Sequence, residues 1–142
     1  MYKRLTGMQD ILPEDQPYWR FVQKTIEQVT ALYGFQRLDV PILEEAALYV
    51  RGVGQGTDIV DKEMYTFTDK GGGEVTLRPE FTAGFMRAYV ENHLYKRPQP
   101  VKLFSVGPIF RYERPQAGRF RQHTQFNVEA LGVEDPAMDF EV

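Results

Sequence analysis

Tyr18, Val22, Ile26, Val29 and Tyr33 recur at spacings of four, four, three and four, which places them on one face of a helix over residues 14–33. Asp15 is the expected N-cap, Pro17 fits the first turn, and Gly34 is placed to end the helix. "FQRLDVPILEEAALYVRG" then reads as a short strand, a break at Pro41 and a second helix from about Glu44 to Arg51. "GVGQGTDIV" is Gly-rich and is expected to form a mobile loop; it lacks the Gly-Lys-Ser/Thr ending of a phosphate-cradling P-loop. "MYTFT" and "EVTLRP" are β-rich runs joined by "DKGGG", whose glycines permit the positive φ of a tight hairpin turn. From Thr82 to Leu94 the apolar positions Phe85, Met86, Tyr89 and Val90 have helical spacing, and "KRPQP" breaks that helix. "VKLFSVG" and "PIFRYER" read as strands, "PQAG" as a turn and "RFRQHTQFNVEAL" as a long strand. Strands without regular helical crossovers predict an α+β fold, an antiparallel β-sheet flanked by helices.

Composition narrows this picture. The chain has 142 residues, 42% of them hydrophobic, enough to bury one core without staples. A net charge of −3 gives no global attraction to nucleic acid, so any anion site must be local. There is no cysteine, hence neither a disulfide nor a thiolate metal site. His93 and His123 stand too far apart to form a metal motif, and no metal-binding residue is assigned. His93 reads as a surface or C-capping residue of the helix before it, and Trp19 with most Phe and Tyr as core. "MYKRLTGMQDILPEDQPYW" has no long apolar run, so neither a signal peptide nor a membrane span is expected and the default location is cytoplasmic. The other end, "GVEDPAMDFEV", resembles an acidic amphipathic helix cut through its first turns, so a fragment of a longer protein is expected.

The chemistry concentrates in "FRYERPQAGRFRQHTQFNVEALG", residues 110–132, with four arginines within eleven positions. Side chains alternate across a strand. Ile109, Arg111 and Glu113 therefore share one face of the first arm. Arg119, Arg121, His123, Gln125, Asn127 and Glu129 share one face of the second, opposite Phe120, Gln122, Thr124, Phe126, Val128 and Ala130. A sheet that merely wets one side satisfies this pattern too. A row collecting Arg, His, Gln and Asn is nonetheless unusual for a solvated strand, and Arg suits bidentate phosphate contacts. Such a face fits a ligand with phosphates at one end and an amino group at the other.

"FRYERPQAGRFRQ" resembles the motif 2 hairpin of class II aminoacyl-tRNA synthetases, and in detail that of the histidyl-tRNA synthetase family. "GMQDILPED" is similar to the family's N-terminal signature, and "VPILEEAALYVRG" to its motif 1. "GTDIVDKEMYTFTDKGG", "LRPEFTAGFMRAYVE" and "PQPVKLFSVGPIFRYERPQAGRFRQ" match block by block, so the resemblance covers essentially the whole chain. It implies that residues 1–142 are the N-terminal portion of a class II catalytic domain, with motif 1 at about 38–52 and motif 2 at about 103–132. Motif 3, the histidine-specific motif with its catalytic arginine and the anticodon-binding domain are absent from this sequence. The implied reaction is ATP-dependent activation of histidine to histidyl-adenylate, then transfer to tRNA(His), with Mg²⁺ on the nucleotide and a homodimer formed through motif 1.

The resemblance also implies roles. Arg111 would grip the α-phosphate as the catalytic arginine of this segment, Glu113 would lie near adenine, and Arg119 would reach the outer phosphates or the tRNA acceptor end. Glu80, Phe81 and Thr82 would line the histidine pocket, and Gln125 and Glu129 would receive the α-amino group and nearby atoms. The chain departs from the family at His123-Thr124-Gln125, where Phe-His-Gln or Phe-Tyr-Gln is usual; His123 thus takes the place of the ring that stacks on adenine, with less area. Phe81 replaces a residue that is usually Gly or aliphatic. Two competing readings are a histidine-sensing regulatory paralogue of histidine biosynthesis and an inert folding and dimerisation unit. Retention of "RYERPQAGR" favours the synthetase.

Overall fold

A computed structural model describes residues 1–53, 63–114 and 116–142. Helix α1 spans Gln16–Leu32, followed by strands β1 (Gln36–Arg37) and β2 (Leu43–Glu45), helix α2 (Ala46–Val53), strands β3 (Tyr65–Thr68) and β4 (Glu74–Leu77) and helix α3 (Thr82–Glu91). A 3₁₀ turn at Leu94–Lys96 leads into the long strands β5 (Val101–Phe110) and β6 (Gln122–Leu131), and α4 (Ala137–Glu141) comes last. The predicted α+β class stands. Most of the glycine-rich stretch expected to be a mobile loop, residues 54–60, lies outside the described residues.

Local chemistry accounts for the element ends. At α1 the Asp15 side chain makes no cap, contrary to expectation, because Asp15 itself sits in the helical region (φ −87°, ψ −18°). Gly34 does end the helix: with φ +74° it lets its N–H reach Ala31 O (3.2 Å) and lets Phe35 N–H reach Thr30 O (2.9 Å), the paired bonds of a Schellman ending. In the β3–β4 turn Asp69 Oδ1 accepts from Gly71 N–H (2.8 Å) and Gly73 N–H (2.9 Å). His93 takes a left-handed backbone (φ 55°) just past α3. One boundary is corrected: Glu44 lies in β2, paired with Thr76, and α2 begins at Ala46. The Glu44 carboxylate pairs with Arg87 of α3 (2.5 Å), and pairing with β4 holds this stretch extended.

Two three-stranded sheets form, ordered β1-β5-β6 and β2-β4-β3. The second is antiparallel throughout. The first is mixed, since the two residues of β1 run parallel to β5 while β5 and β6 pair antiparallel over all ten positions. The expected break between "VKLFSVG" and "PIFRYER" does not occur, because Pro108 sits in a non-hydrogen-bonding position where its missing N–H costs nothing. Helix α3 packs on one face of β5, where Phe81, Phe85, Ala88 and Leu94 meet Val40, Val101, Leu103 and Ile109 in the core. Helix α1 lies on the other face, where Trp19, Val22 and Ile26 border a groove of about 310 Å³ floored by Val106 and Phe126. Among the described residues no helix is long and apolar enough to cross a membrane.

Candidate functional site

The β5–β6 register sets Leu103 opposite Glu129, Ser105 opposite Asn127, Gly107 opposite Gln125 and Ile109 opposite His123. These eight residues share the α3 side of the sheet. The β5 members pack inward against α3, while His123, Gln125, Asn127 and Glu129 remain half-exposed at the rim. Alternation in the sequence thus identifies the row, and α3 explains its polarity: the helix covers β5 but not β6.

At one end the row is already knitted together. Thr82 Oγ1, in the first turn of α3, donates to Glu129 Oε1 (2.6 Å), and Asn127 Nδ2 donates to the same oxygen (3.3 Å). Glu80 stands just before α3 and its carboxylate accepts from the Thr82 and Ala83 amides, the latter at 2.9 Å. A carboxylate there satisfies orphan donors and opposes the positive end of the helix. Gln125 Oε1 is buried without a hydrogen-bond partner among the described residues. An orphaned buried acceptor costs about 1–3 kcal/mol, and a ligand ammonium or N–H group would relieve it.

At the other end the register ends at Phe110 opposite Gln122, with one further bond from Arg111 N–H to Arg121 O (2.9 Å). Glu113 N–H turns back onto Arg111 O (2.7 Å), a three-residue turn that rotates the chain beyond it. Arg111 keeps its expected side: its Nε donates to Pro79 O (2.8 Å), which leaves the guanidinium Nη groups without a partner among the described residues. Glu113 is buried and paired with Arg119 Nε, and that bond holds the Arg119 guanidinium above its ordinary pKa. Arg121 leaves the row altogether. Its guanidinium lies 3.7 Å over the Tyr112 ring and its Nε donates to Glu113 O (3.1 Å), while Arg121 and Gln122 N–H both donate to Gly7 O. Arg119 and Arg121 therefore belong to the turn and not to the ladder face.

Phe81 requires a second correction. It has no exposed surface and packs against Phe85, with ring centroids 6.1 Å apart. It shapes the floor beneath the face and does not line a pocket.

Two buried polar side chains escape the sequence reading. Arg78, 5% exposed, donates from Nε to Pro108 O (2.8 Å) and from Nη1 to Val40 O (2.7 Å) and lies 4.4 Å over the Phe81 ring. Burial lowers its pKa, with Tyr49 and Asp39 acting in the opposite sense. The available signal was Gly107, a glycine inside a strand, which marks close approach of another group; a Cβ there would stand 2.6 Å from Arg78 Nη2. Tyr49 of α2 is fully buried, its hydroxyl unpartnered among the described residues.

Comparison with known proteins identifies the family. The sequence profile of the family "Histidyl-tRNA synthetase" matches residues 7–142. A histidine–tRNA ligase from Dehalococcoides mccartyi strain 195 is 58% identical over 142 residues, all of this chain and 34% of that protein. An apo histidyl-tRNA synthetase from S. aureus superposes with a TM-score of 0.83 at 40% identity, covering 99% of this chain and 32% of that one. A crystal structure described as an ATP phosphoribosyltransferase regulatory subunit/histidyl-tRNA synthetase from Bacillus halodurans shares the fold, with a TM-score of 0.85 at 24% identity over 100% of this chain and 35% of that one. The chain spans about a third of the length of the curated relatives it matches. On sequence profile, identity and fold together, it belongs to the histidyl-tRNA synthetase family.

Proposed function

We propose that this chain supplies the motif 1 and motif 2 part of a histidine–tRNA ligase core, in which ATP and histidine lie along the β6 face. The observation that carries the reading is the continuity of the row. Arg111, with Nη donors still available, begins it, Gln125 with an unpartnered oxygen lies within it, and the Thr82–Glu129–Asn127 cluster ends it. From His123 to Glu129 the strand advances about 20 Å, room for a nucleotide joined to an amino acid.

In this reading Arg111 binds the α-phosphate, His123 stacks on adenine, and Glu113 and Arg119 flank the nucleotide. Gln125, Glu129, Thr82 and Glu80 receive histidine. The histidine carboxylate attacks the α-phosphorus in line and pyrophosphate leaves; the carboxylate is already ionised, so this step needs no general base. Catalysis is then positioning and neutralisation of charge developing on phosphate. Mg²⁺ would arrive with the triphosphate, as it usually keeps its waters and binds through substrate phosphates. Among the described residues no three His, Cys, Asp or Glu side chains stand together to hold a metal themselves.

The longer protein would transfer the histidyl group to tRNA(His), act as a homodimer and work in the cytoplasm. Histidine-dependent exchange of pyrophosphate into ATP by the longer protein tests the reaction. Titration of this chain with ATP tests the site: Arg111→Ala should abolish ATP binding with the far-UV circular dichroism unchanged, and unaltered affinity would sink the assignment of Arg111. The regulatory reading shares the fold, and histidine binding without exchange would favour it; absence of both would leave an inert folding unit.

A further inference from the structure

We propose that Arg78 is a positioning residue that fixes the spacing between the two ends of the β6 face, an inference whose functional meaning rests on the ligase reading above. Residues 78–81 join β4 to α3, and both ends of the face are fastened to this segment and to Thr82, which follows it. Pro79 O holds Arg111 Nε (2.8 Å), and Thr82 Oγ1 holds Glu129 (2.6 Å). The segment itself is anchored by Arg78. Its backbone N–H donates to Ile42 O (2.8 Å) and its carbonyl accepts from Phe110 N–H (3.0 Å), which ties it to the last ladder residue of β5. Its side chain reaches Pro108 O and Val40 O at 2.8 and 2.7 Å, and its guanidinium carbon lies 4.4 Å from the centre of the Phe81 ring.

A residue that only filled the core would be apolar, because burying a guanidinium is costly unless its donors are used. Arg78 instead directs its donors to two carbonyls from different elements. Those directions are set by a planar fork, which lysine cannot reproduce. Gly107 leaves the space the fork occupies, and Gln125 stands opposite Gly107 on β6. The same guanidinium therefore underlies the middle of the face as well as its ends.

The test monitors the Arg111 Nε–H proton by ¹⁵N-edited NMR on the 142-residue chain, the signal being assigned by its loss in Arg111→Lys. Two variants are compared with the parent. Arg78→Lys keeps the charge and removes the fork, while Gly107→Ala keeps Arg78 and pushes on Nη2 with one methyl group. In both, exchange of the Arg111 Nε–H should accelerate by about tenfold or more once Pro79 O is displaced, while backbone amides of the β5–β6 ladder stay protected. Unchanged Arg111 exchange with an intact ladder overturns the proposal. Collapse of ladder protection in both variants overturns it as well, since Arg78 would then serve the fold and not the face. In a parallel titration ATP and histidine should each bind Gly107→Ala about tenfold more weakly, as sub-ångström misplacement predicts. If the parent chain binds neither ligand, the β6 face is no ligand site in this chain alone, while the exchange result still decides the role of Arg78.

Discussion

Tyr49 presents a phenol hydroxyl to the interior beneath α3 with no partner among the described residues. Burial, and after it the charges of Glu44 and Glu80, pushes its pKa far above the ordinary value. Tyr49→Phe should raise stability by about 1 kcal/mol, because it deletes an unpaired buried group and keeps the ring. The pH dependence has a definite sign. The folded chain holds the Tyr49 proton, whereas the unfolded chain releases it above about pH 10, so stability falls as pH rises past that point. Urea midpoints between about pH 8 and 11 should fall less steeply in Tyr49→Phe; Tyr65, also raised mainly by burial, leaves a residual slope. Equal slopes in both proteins would refute the assignment. On the face itself, His123→Phe should bind ATP more tightly by about 1 kcal/mol, the scale of a favourable aromatic pair. Equal affinities in both proteins would show that His123 does not touch the nucleotide.

Among the elements, α1 makes the sharpest test of backbone chemistry. Nothing lies within 4 Å of a Cβ built on Gly34, so Gly34→Ala creates no clash and its cost is purely conformational. A left-handed alanine should lower stability by about 1 kcal/mol, read as a shifted urea midpoint with an unchanged slope. The existence of α1, its glycine ending, the β3–β4 hairpin and the long antiparallel pair were legible because each rests on periodicity or on a turn residue. The inward face of α1 was not. Tyr18 is 74% and Val22 49% exposed while Thr30 is only 3%, so the helix is rotated by about one residue from the stripe of apolar spacing, with Trp19, Ile26 and Thr30 inward. Periodicity finds a face, but the shape of the sheet beneath selects which edge of it is buried. Strand β2 was missed because it exists only through its pairing with β4, Glu44 opposite Thr76, a partner distant in the sequence. At the site, alternation found the β6 row and the side of Arg111, and failed at Arg119 and Arg121, which contacts with Glu113 and Tyr112 draw into the turn. Arg78 was invisible for the same reason as β2: its partners are 30 and 38 residues away.

For the whole molecule, the proposed two-fold contact can be placed on α2. Along this helix Ala46 is buried within the chain, whereas Ala47 is exposed and Val50 half-exposed along a groove of about 410 Å³ bounded by Arg51 and Glu74. Sedimentation should show a dimer at micromolar concentration and a monomer for Val50→Asp; a monomeric parent at high micromolar concentration would count against this contact. The place of β6 at the margin of its sheet has a further consequence. Phe110 N–H points to Arg78 O and Gln122 N–H to Gly7 O, so this pair turns its amides away from each other and the pattern alternates along the ladder. The amides of His123, Gln125, Asn127 and Glu129 then point into β5, while those of Thr124, Phe126, Val128 and Ala130 point outward, where no strand pairs among the described residues. Deuterium uptake should therefore run slow, fast, slow, fast along one strand. The slow amides belong to the residues whose side chains form the candidate face, and the fast ones form a comb that any added strand would close in a single step.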